Sequence, residues 1–581
     1  MKRADEQAIP TGMLLLLACA AQPPGPGAPD PETGDGAPFD TAPEHLPDAG
    51  PGEESDPSAA VFDEEVIHDI SLTMDVAAWA DLSGNPWAET WHTATFTWSG
   101  ETVGNVSVRA FGFSSHVVGK PPIKIDFDRE VPGQEWRGLE QLKLKNSYYD
   151  PGFLHEALAP WLLRRAGVPA SRTGWARVSV NGTYVGLYIV TEPVDDRFLV
   201  RHFGNDDGPL WSIDGIRGHG LMPLTDPLAY FQTNTSVESD GADLVEATRV
   251  VAEGSDAELA ATFDLDAFFT ESIVRTMSGS QDSFSADGNN FYLYNDPEGR
   301  WEIIPWDFNF DFSAFGVVPA LEVDPARPWA TSDYAMDPYS GQPYVDVLME
   351  RQVASGRSVT AEIEALADGA FAWTELVDRV ESWRELVRDD ALVDPMYGGA
   401  AFDTSIANDL LLLHLKLSNT LGREVATCED FGDVVLARDL APTGRVGWSR
   451  LTTDGWGWDD GTGRGCVTAA HACIGFQVAR THACTGLFAH APSDVKIQVP
   501  EGRTHLQGAA GLQLFGADCS DGARFEVRQG GATLWSSAVL TSYSEPEPFE
   551  VAVSPGEVQL ITDDLGANGC DMTAWLDLRA R

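Results

Sequence analysis

Lysine is where this sequence concentrates a chemistry. Only seven occur in 581 residues, and four of them, Lys120, Lys124, Lys143 and Lys145, fall in one stretch. Their background is acidic: 89 Asp and Glu face 38 Lys and Arg, for a net charge of −51. Lysines gathered in such a chain predict a negatively charged target, or else ion pairs with the chain's own carboxylates. Just upstream, Gly112-Phe113-Ser114-Ser115 can form a short loop whose backbone N–H groups approach a phosphate. Downstream, polar side chains recur at turn-like positions. Asp282 sits in Ser280-Gln281-Asp282-Ser283, Asn290 precedes Phe291-Tyr292-Leu293-Tyr294, and Asp307 and Asn309 follow Ile304-Pro305-Trp306. Such groups serve proton transfer or metal binding, or they form turns and caps.

The flanking pattern says what positions them. Ile67–Leu72, Thr93–Trp98 and Val103–Phe111 alternate apolar and polar residues, which predicts an antiparallel sheet. Lys120–Phe127 is read as another strand, with Lys124 on one face and Ile123 and Ile125 on the other; Leu142–Asn146 repeats the alternation. Asp150-Pro151 is expected to start a helix running to about Ala166, with an apolar stripe of Leu154, Leu158, Trp161 and Leu162. Asn181-Gly182 between Ala176–Val180 and Tyr184–Thr191 predicts a hairpin. Further helices are expected around Phe268–Met277 and over Tyr344–Val353, Thr360–Ala370, Trp373–Val387 and Ile406–Leu421. Past Cys428 only short strands remain, so the fold class is α+β followed by an all-β module.

A hydrophobic content of 43% supplies real cores, and the length calls for two or more domains. The charge disfavours nucleic acid and anionic lipid as main ligands. No apolar run of about 20 residues is present to span a membrane. Met1-Lys2-Arg3 and the run Met13–Ala20 read as an export signal, and Leu16-Leu17-Ala18-Cys19 resembles a bacterial lipobox, which implies a lipid anchor at Cys19. Residues 20–60, rich in Pro, Gly, Asp and Ala, read as a disordered tether. Six other cysteines, Cys428, Cys466, Cys473, Cys484, Cys519 and Cys570, all follow Thr427. No CxxC pair favours zinc, so disulfides in an oxidising compartment are expected, with 15 connectivities open.

Several motifs follow one another in a telling order: Arg109-x-x-Gly112-x-Ser114-Ser115, Lys120-x-x-x-Lys124, Leu144-Lys145-Asn146, Asp150, Asn181-Gly182-x-Tyr184-x-Gly186-x-Tyr188 and Thr191-Glu192-x-Val194-Asp195. Asp282, Asn289-Asn290-Phe291-Tyr292 and Pro305-Trp306-Asp307-Phe308-Asn309-Phe310-Asp311 complete it. The pattern resembles the CotH (spore coat protein H) kinase-like family over about residues 62–430. The resemblance implies an atypical, bilobal protein-kinase-like fold that binds ATP with Mg or Mn and phosphorylates Ser or Thr of exported proteins. It implies Asp282 as catalytic aspartate and Asn290, Asp307 and Asn309 at the metal; the family commonly has Asp where Asn309 stands. Lys124 is expected to contact phosphate, with Lys145 as second cation, alongside Gly112, Ser114 and Ser115. Glu156 could pair with the phosphate lysine, as a helix glutamate does in ordinary kinases, and His155 stands where the family usually has Arg. The strand ending at Glu192 would form the hinge against adenine.

The C-terminal third resembles the NPCBM type of carbohydrate-binding module, a β-sandwich jelly roll. Ala489-His490-Ala491-x-Ser493, the strands Phe525–Arg528 and Ala532–Ser536, and the acidic turn ending in Asp571 and Trp575 carry the likeness. Trp575 is expected in the core rather than against a sugar. Asp563, Asp564 and Asp571 either hold calcium or form a turn. The expected organisation is therefore a signal at 1–19, a tether at 20–60, a kinase-like domain at 61–430 and a sandwich at 431–581. The leading expectation is a lipid-anchored, exported kinase with a glycan-directed module and no nucleic-acid partner. The alternatives are a silent kinase fold serving adhesion, and AMP transfer in place of phosphate.

Overall fold

The computed structural model describes residues 56–312 apart from 214–220, 222–225, 235–236, 238, 281, 287 and 298–299. It also describes 346–399 and 402–421, and beyond 434 the strands named below with most of 486–581. Cys19, the remaining cysteines, the tether up to residue 55, the expected helix start at Tyr344, and Ala489, His490 and Asp571 lie outside these residues.

The first half builds a barrel. In chain order come β1 (Ile67–Met74), α1 (Val76–Gly84), β2 (His92–Trp98), β3 (Glu101–Ala110), β4 (Ile123–Asp126), β5 (Gln141–Lys145), α2 (His155–Arg165), β6 (Thr173–Val180) and β7 (Thr183–Thr191). The strands close in the order β1-β2-β3-β4-β5-β7-β6. Neighbours are antiparallel except at the seam, where β1 runs parallel to β6. The expected antiparallel pairing holds for β1, β2 and β3, and the sheet additionally closes into a barrel, which leaves no edge strand open. Period-two alternation sends Phe96, Val108, Ile125, Leu144 and Val190 inward to a common core. Lys124, Lys143 and Lys145 consequently share the outer face. The strand expected over Lys120–Phe127 shortens to β4, because Pro121 and Pro122 bring no N–H to a ladder.

Chain entry is anchored early. Arg172 donates to Asp56 at 2.7 Å and to Ser58 at 2.9 Å, while Val61 and Phe62 are buried in the barrel core. The Asn181-Gly182 turn has positive φ at both residues (51° and 77°), the geometry that suits a two-residue hairpin. Gly186 leaves room for a neighbour: a Cβ there would lie 2.6 Å from Lys120 Cε.

A helical body packs on the outside of β6 and β7. It comprises α3 (Asp196–Phe203), β8 (Leu210–Ile213), β9 (Phe231–Thr233), α4 (Ala242–Glu253), α5 (Asp256–Thr262), α6 (Leu265–Met277), β10 (Phe291–Asn295) and β11 (Trp301–Pro305). Next come α7 (Asp346–Ala354), α8 (Val359–Asp368), α9 (Trp373–Leu392) and α10 (Phe402–Leu421). A small antiparallel sheet, β11-β10-β8-β9, runs through it. One apolar core joins Trp175 and Ile189 of the barrel to Leu158 and Leu162 of α2 and Trp383 of α9. The helix expected from Asp150 begins at His155 instead. Phe153 takes a positive φ of 55°, and the buried Asp150 carboxylate accepts the His155 N–H at 2.9 Å.

The C-terminal region is a two-sheet sandwich. One sheet runs Val435–Leu436, Thr573–Ala580, His505–Leu512, Glu547–Ala552, with Gly486–Phe488 also on Thr573–Ala580. The other runs Ser449–Leu451, Thr443–Val446, Ser493–Val499, Gly556–Asp563, Arg524–Gln529, Ala532–Ser536. Ile497 and Leu560 of one meet Leu506 and Val551 of the other in a shared core. Trp575 is fully buried there, edge-on to Phe525 at 5.3 Å, as the core reading expected. Among the described residues no helix is long and apolar enough to cross a membrane.

Candidate active site

Lys145, the last residue of β5, organises a cleft between barrel and helical body. Its Nζ lies 2.7 Å from Glu156 Oε1, in the first turn of α2, and 2.7 Å from Asp307 Oδ1, just past β11. This corrects the expected assignment: Glu156 pairs with Lys145 and not with Lys124. Burial disfavours the Lys145 ammonium, but Asp307 and Glu156 outweigh it and raise its pKa. Burial likewise pushes Glu156 up, to about 8, while Lys145 holds Asp307 below the usual carboxylate range against its own burial. With Glu156 largely protonated at neutral pH, the Lys145 ammonium and the Asp307 carboxylate balance one another.

The cleft has a volume of about 70 Å³. Gly112, Ser115, Lys145, Glu156, Asp307 and Asn309 are among its lining residues. Gly112 has φ of 99°, and a Cβ there would lie 2.6 Å from Ser115 Oγ, so the loop requires glycine. Asn146, next to Lys145, staples that loop by donating to the carbonyls of Ser115 and Lys120, both at 2.9 Å. The Asp307 side chain stays 37% exposed at the cleft. Asn309 is buried; its Nδ2 donates to the Tyr148 carbonyl at 3.3 Å, while its Oδ1 has no hydrogen-bond partner among the described residues. Asp311 turns away to pair with buried Arg275 at 3.1 Å, so it does not stand in for Asp307.

Asp282 and Asn290 do not line the cleft and are tied to its loops through backbone groups. Asn289 Nδ2 donates to Asp282 Oδ1 at 3.1 Å, and Asn290 Nδ2 to the Asp282 carbonyl at 3.0 Å. Arg275 donates to the carbonyls of both Asp282 and Asp307 at 3.3 Å, tying the two loops together. Asn290 and Asp307 adopt left-handed φ values of 55° and 51°. Such conformations cost about 1–3 kcal/mol each and collect at functional sites.

Three further expected site residues also lie outside the cleft lining. Ser114 is exposed and does not line the cleft. Lys124 faces the row formed by Arg109 and Lys143 on the barrel exterior. Glu192 is enclosed by Arg172 and Arg201, whose charges overcome its burial and hold its pKa at about 2, so its carboxylate is committed within the fold. Of the clustered lysines, Lys120 and Lys145 are ion-paired, Lys120 to Asp394 at 2.7 Å. His155, in place of the family's Arg, is itself a buried cation. Burial would lower its pKa, yet Asp150 and Asp409 raise it to about 10. Its Nε2 lies 3.0 Å from Asp409 and its Nδ1 3.3 Å from the Asn309 carbonyl, which steadies the loop carrying Asn309.

Sequence reasoning overlooked Trp306, whose ring lies 4.1 Å from Lys143 Nζ and 4.4 Å from Lys145 Nζ. The alternation Lys143-Leu144-Lys145 was the available signal, since it put both ammonium groups on one face.

The family model for CotH kinase protein matches residues 108–408, the stretch that carries the cleft. The chain belongs to the CotH family. A second model, the NPCBM/NEW2 domain, matches residues 456–581. Inner spore coat protein H of Bacillus subtilis (strain 168) is 24% identical over 187 residues, 30% of this chain and 50% of that protein. The chain therefore matches about half the length of that curated relative. Among solved structures, the CBM51-2 and INT domains of Clostridium perfringens ZmpB in complex with GlcNAc are 20% identical over 17% of this chain and 22% of theirs, with a TM-score of 0.17. CBM51 of Clostridium perfringens GH95 in complex with methyl-galactose is 19% identical over 17% of this chain and 72% of its own, also at 0.17. Overlaps that slight do not bear on this chain's fold.

Proposed function

We propose that this CotH-family protein is an exported, ATP-dependent phosphotransferase acting on Ser or Thr hydroxyls of proteins outside the cytoplasm. The observation that carries the reading is Lys145 bridging Glu156 and Asp307 in a cleft lined by Gly112 and Ser115. Glu156 holds Lys145 so that its ammonium meets a phosphate without reorganising. Asp307, with Asn290 and Asn309, would hold a divalent ion. The partnerless Asn309 Oδ1 and the exposed Asp307 carboxylate fit that role. Among the described residues no three His, Cys, Asp or Glu gather around a metal. A single carboxylate with amides still suits Mg, which takes its remaining ligands from phosphate and water. When bound, ATP and metal supply the transferable group and neutralise its charge. Asp282, oriented by Asn289, would accept the acceptor hydroxyl's proton.

The C-terminal sandwich is read as a module that docks the enzyme on a glycan, and the N-terminal segment as a signal and lipid anchor at Cys19. The test is incubation of the full chain with ATP and Mg or Mn, followed by intact-mass analysis of the chain and of added exported proteins. A metal-dependent phosphate adduct supports the reading. An AMP adduct replaces phosphoryl with nucleotidyl transfer. No adduct and no ATP consumption favours the second reading, an adhesion protein on a silent kinase fold, which the single carboxylate of the Asp307–Asn309 pair motivates.

A further inference from the structure

Asp282 is expected to act on a hydroxyl brought to the cleft, yet it does not line the cleft. Something must fix its place relative to Asp307, because reacting groups have to be held within about 0.5 Å of their working positions. Two loops are concerned: the one between α6 and β10, which carries Asp282, and the one after β11, which carries Asp307. Backbone bonds join them at their ends. The Trp306 N–H donates to the Asn290 carbonyl at 2.9 Å, and the Phe312 N–H to the Ser278 carbonyl at 2.7 Å. Neither bond touches Asp282 or Asp307.

Arg275 reaches both. It stands in the last turn of α6, fully buried, with its guanidinium 4.5 Å from the Phe308 ring. One terminal nitrogen, Nη2, is shared among four oxygens. They are the carbonyls of Asp282 and Asp307 at 3.3 Å each, the Ser280 hydroxyl at 3.0 Å and the Asp311 carboxylate at 3.1 Å. Nε and Nη1 have no hydrogen-bond partner among the described residues. The buried charge is therefore aimed at the two loops and not at α6. A methionine would fill the same space without the cost of burying an ion, so packing alone does not account for arginine here. A planar guanidinium adds a fixed link between the two backbone carbonyls.

We propose that Arg275 is a positioning residue: through the two carbonyls it fixes Asp282 relative to Asp307, so that proton acceptor and cleft carboxylate keep one spacing. It touches no substrate. The inference rests on the phosphotransferase reading for its effect on turnover, though not for the coupling of the loops.

The test compares the full wild-type chain with two variants. Arg275→Lys keeps the charge and loses the planar fork; Arg275→Met/Asp311→Asn leaves no buried charge unpaired, so it guards against a folding failure of the first. In hydrogen exchange without ligand, peptides covering Asp282 and Asp307 should exchange faster in both variants, while those of α9 keep the wild-type rate. In transfer assays with ATP and Mg, turnover by Arg275→Lys should fall at least about tenfold, with the acceptor KM within about threefold. The deciding arm places Arg275→Lys in the Asp282→Asn background. A residue acting through Asp282 should there cost less than about twofold more, whereas a merely structural loss would lower turnover by the same factor again. Full additivity, unchanged turnover in both variants, exchange that does not rise in both loops, or exchange that rises throughout the helical body overturns the proposal. Loosened loops in a protein whose wild type transfers no phosphate would sink the phosphotransferase reading and leave the coupling standing.

Discussion

At the scale of residues, Asp307 is the group with the least redundancy. It contributes the single carboxylate among the proposed metal donors, Asp311 is taken up by Arg275, and Asn309 adds an oxygen without charge. Asp307→Ala should therefore reduce metal-dependent ATP binding by at least about a hundredfold, in keeping with the dependence of hard-cation affinity on ligand charge. Calorimetry with and without Mg reads this, and an unchanged metal dependence would remove Asp307 from the metal. The chemistry was legible to different depths here. Lys145, Glu156, Asp307 and Asn309 could be picked out because their motifs keep a fixed order along the chain. Which lysine meets Glu156 could not, because Lys124 and Lys145 lie on the same barrel face and only the docking of α2 chooses between them.

Among the elements, the junction of β6, β7 and α3 depends on one buried carboxylate. Glu192 receives Arg172 and Arg201, so its side chain serves as a strut within the fold. Its folded pKa of about 2 lies below the ordinary Glu value near 4.5. The stabilisation is then complete above about pH 4.5 and is lost as pH falls through about 2. With 1.36 kcal/mol per unit, the span corresponds to about 3 kcal/mol for a fully buried group. Glu192→Gln should cost roughly that much at pH 7 in denaturant melts, with the deficit shrinking below pH 4.5; a pH-independent deficit would contradict it. Local signals located most elements, such as the Asn181-Gly182 hairpin and the long apolar stripes of α9 and α10. They missed the start of α2, where Asp-Pro resembles a helix opening but Gly152 and the left-handed Phe153 delay it. The strands β8 and β9 were missed because three or four residues carry little periodicity.

At the scale of the whole molecule, barrel closure was not legible, since the parallel β1–β6 seam joins residues about a hundred positions apart and leaves no local trace. The sandwich was, because its short alternating strands and buried Trp575 are local patterns. Trp575→Ala should destabilise that module by about 3–5 kcal/mol, the usual cost of emptying a core aromatic site. ATP binding by the same variant should be unaffected, as the cleft shares no core residue with it. Loss of both together would show that the two regions fold as one unit. At the other end, Cys19→Ser should move the protein from the membrane fraction to the soluble fraction, and continued membrane retention would rule out the lipid anchor.

The account turns on whether Asp282 does chemistry, and the Asp282→Asn variant tests that most directly. It preserves size and deletes charge, so a group acting in the transition state should lose turnover while ground-state affinity survives. Phosphate transfer by the full chain should fall by at least about a hundredfold, the low end of general-base contributions. ATP affinity in the presence of metal should stay within about threefold, less than 1 kcal/mol. Full retained transfer, or a loss of affinity as large as the loss of rate, would contradict it.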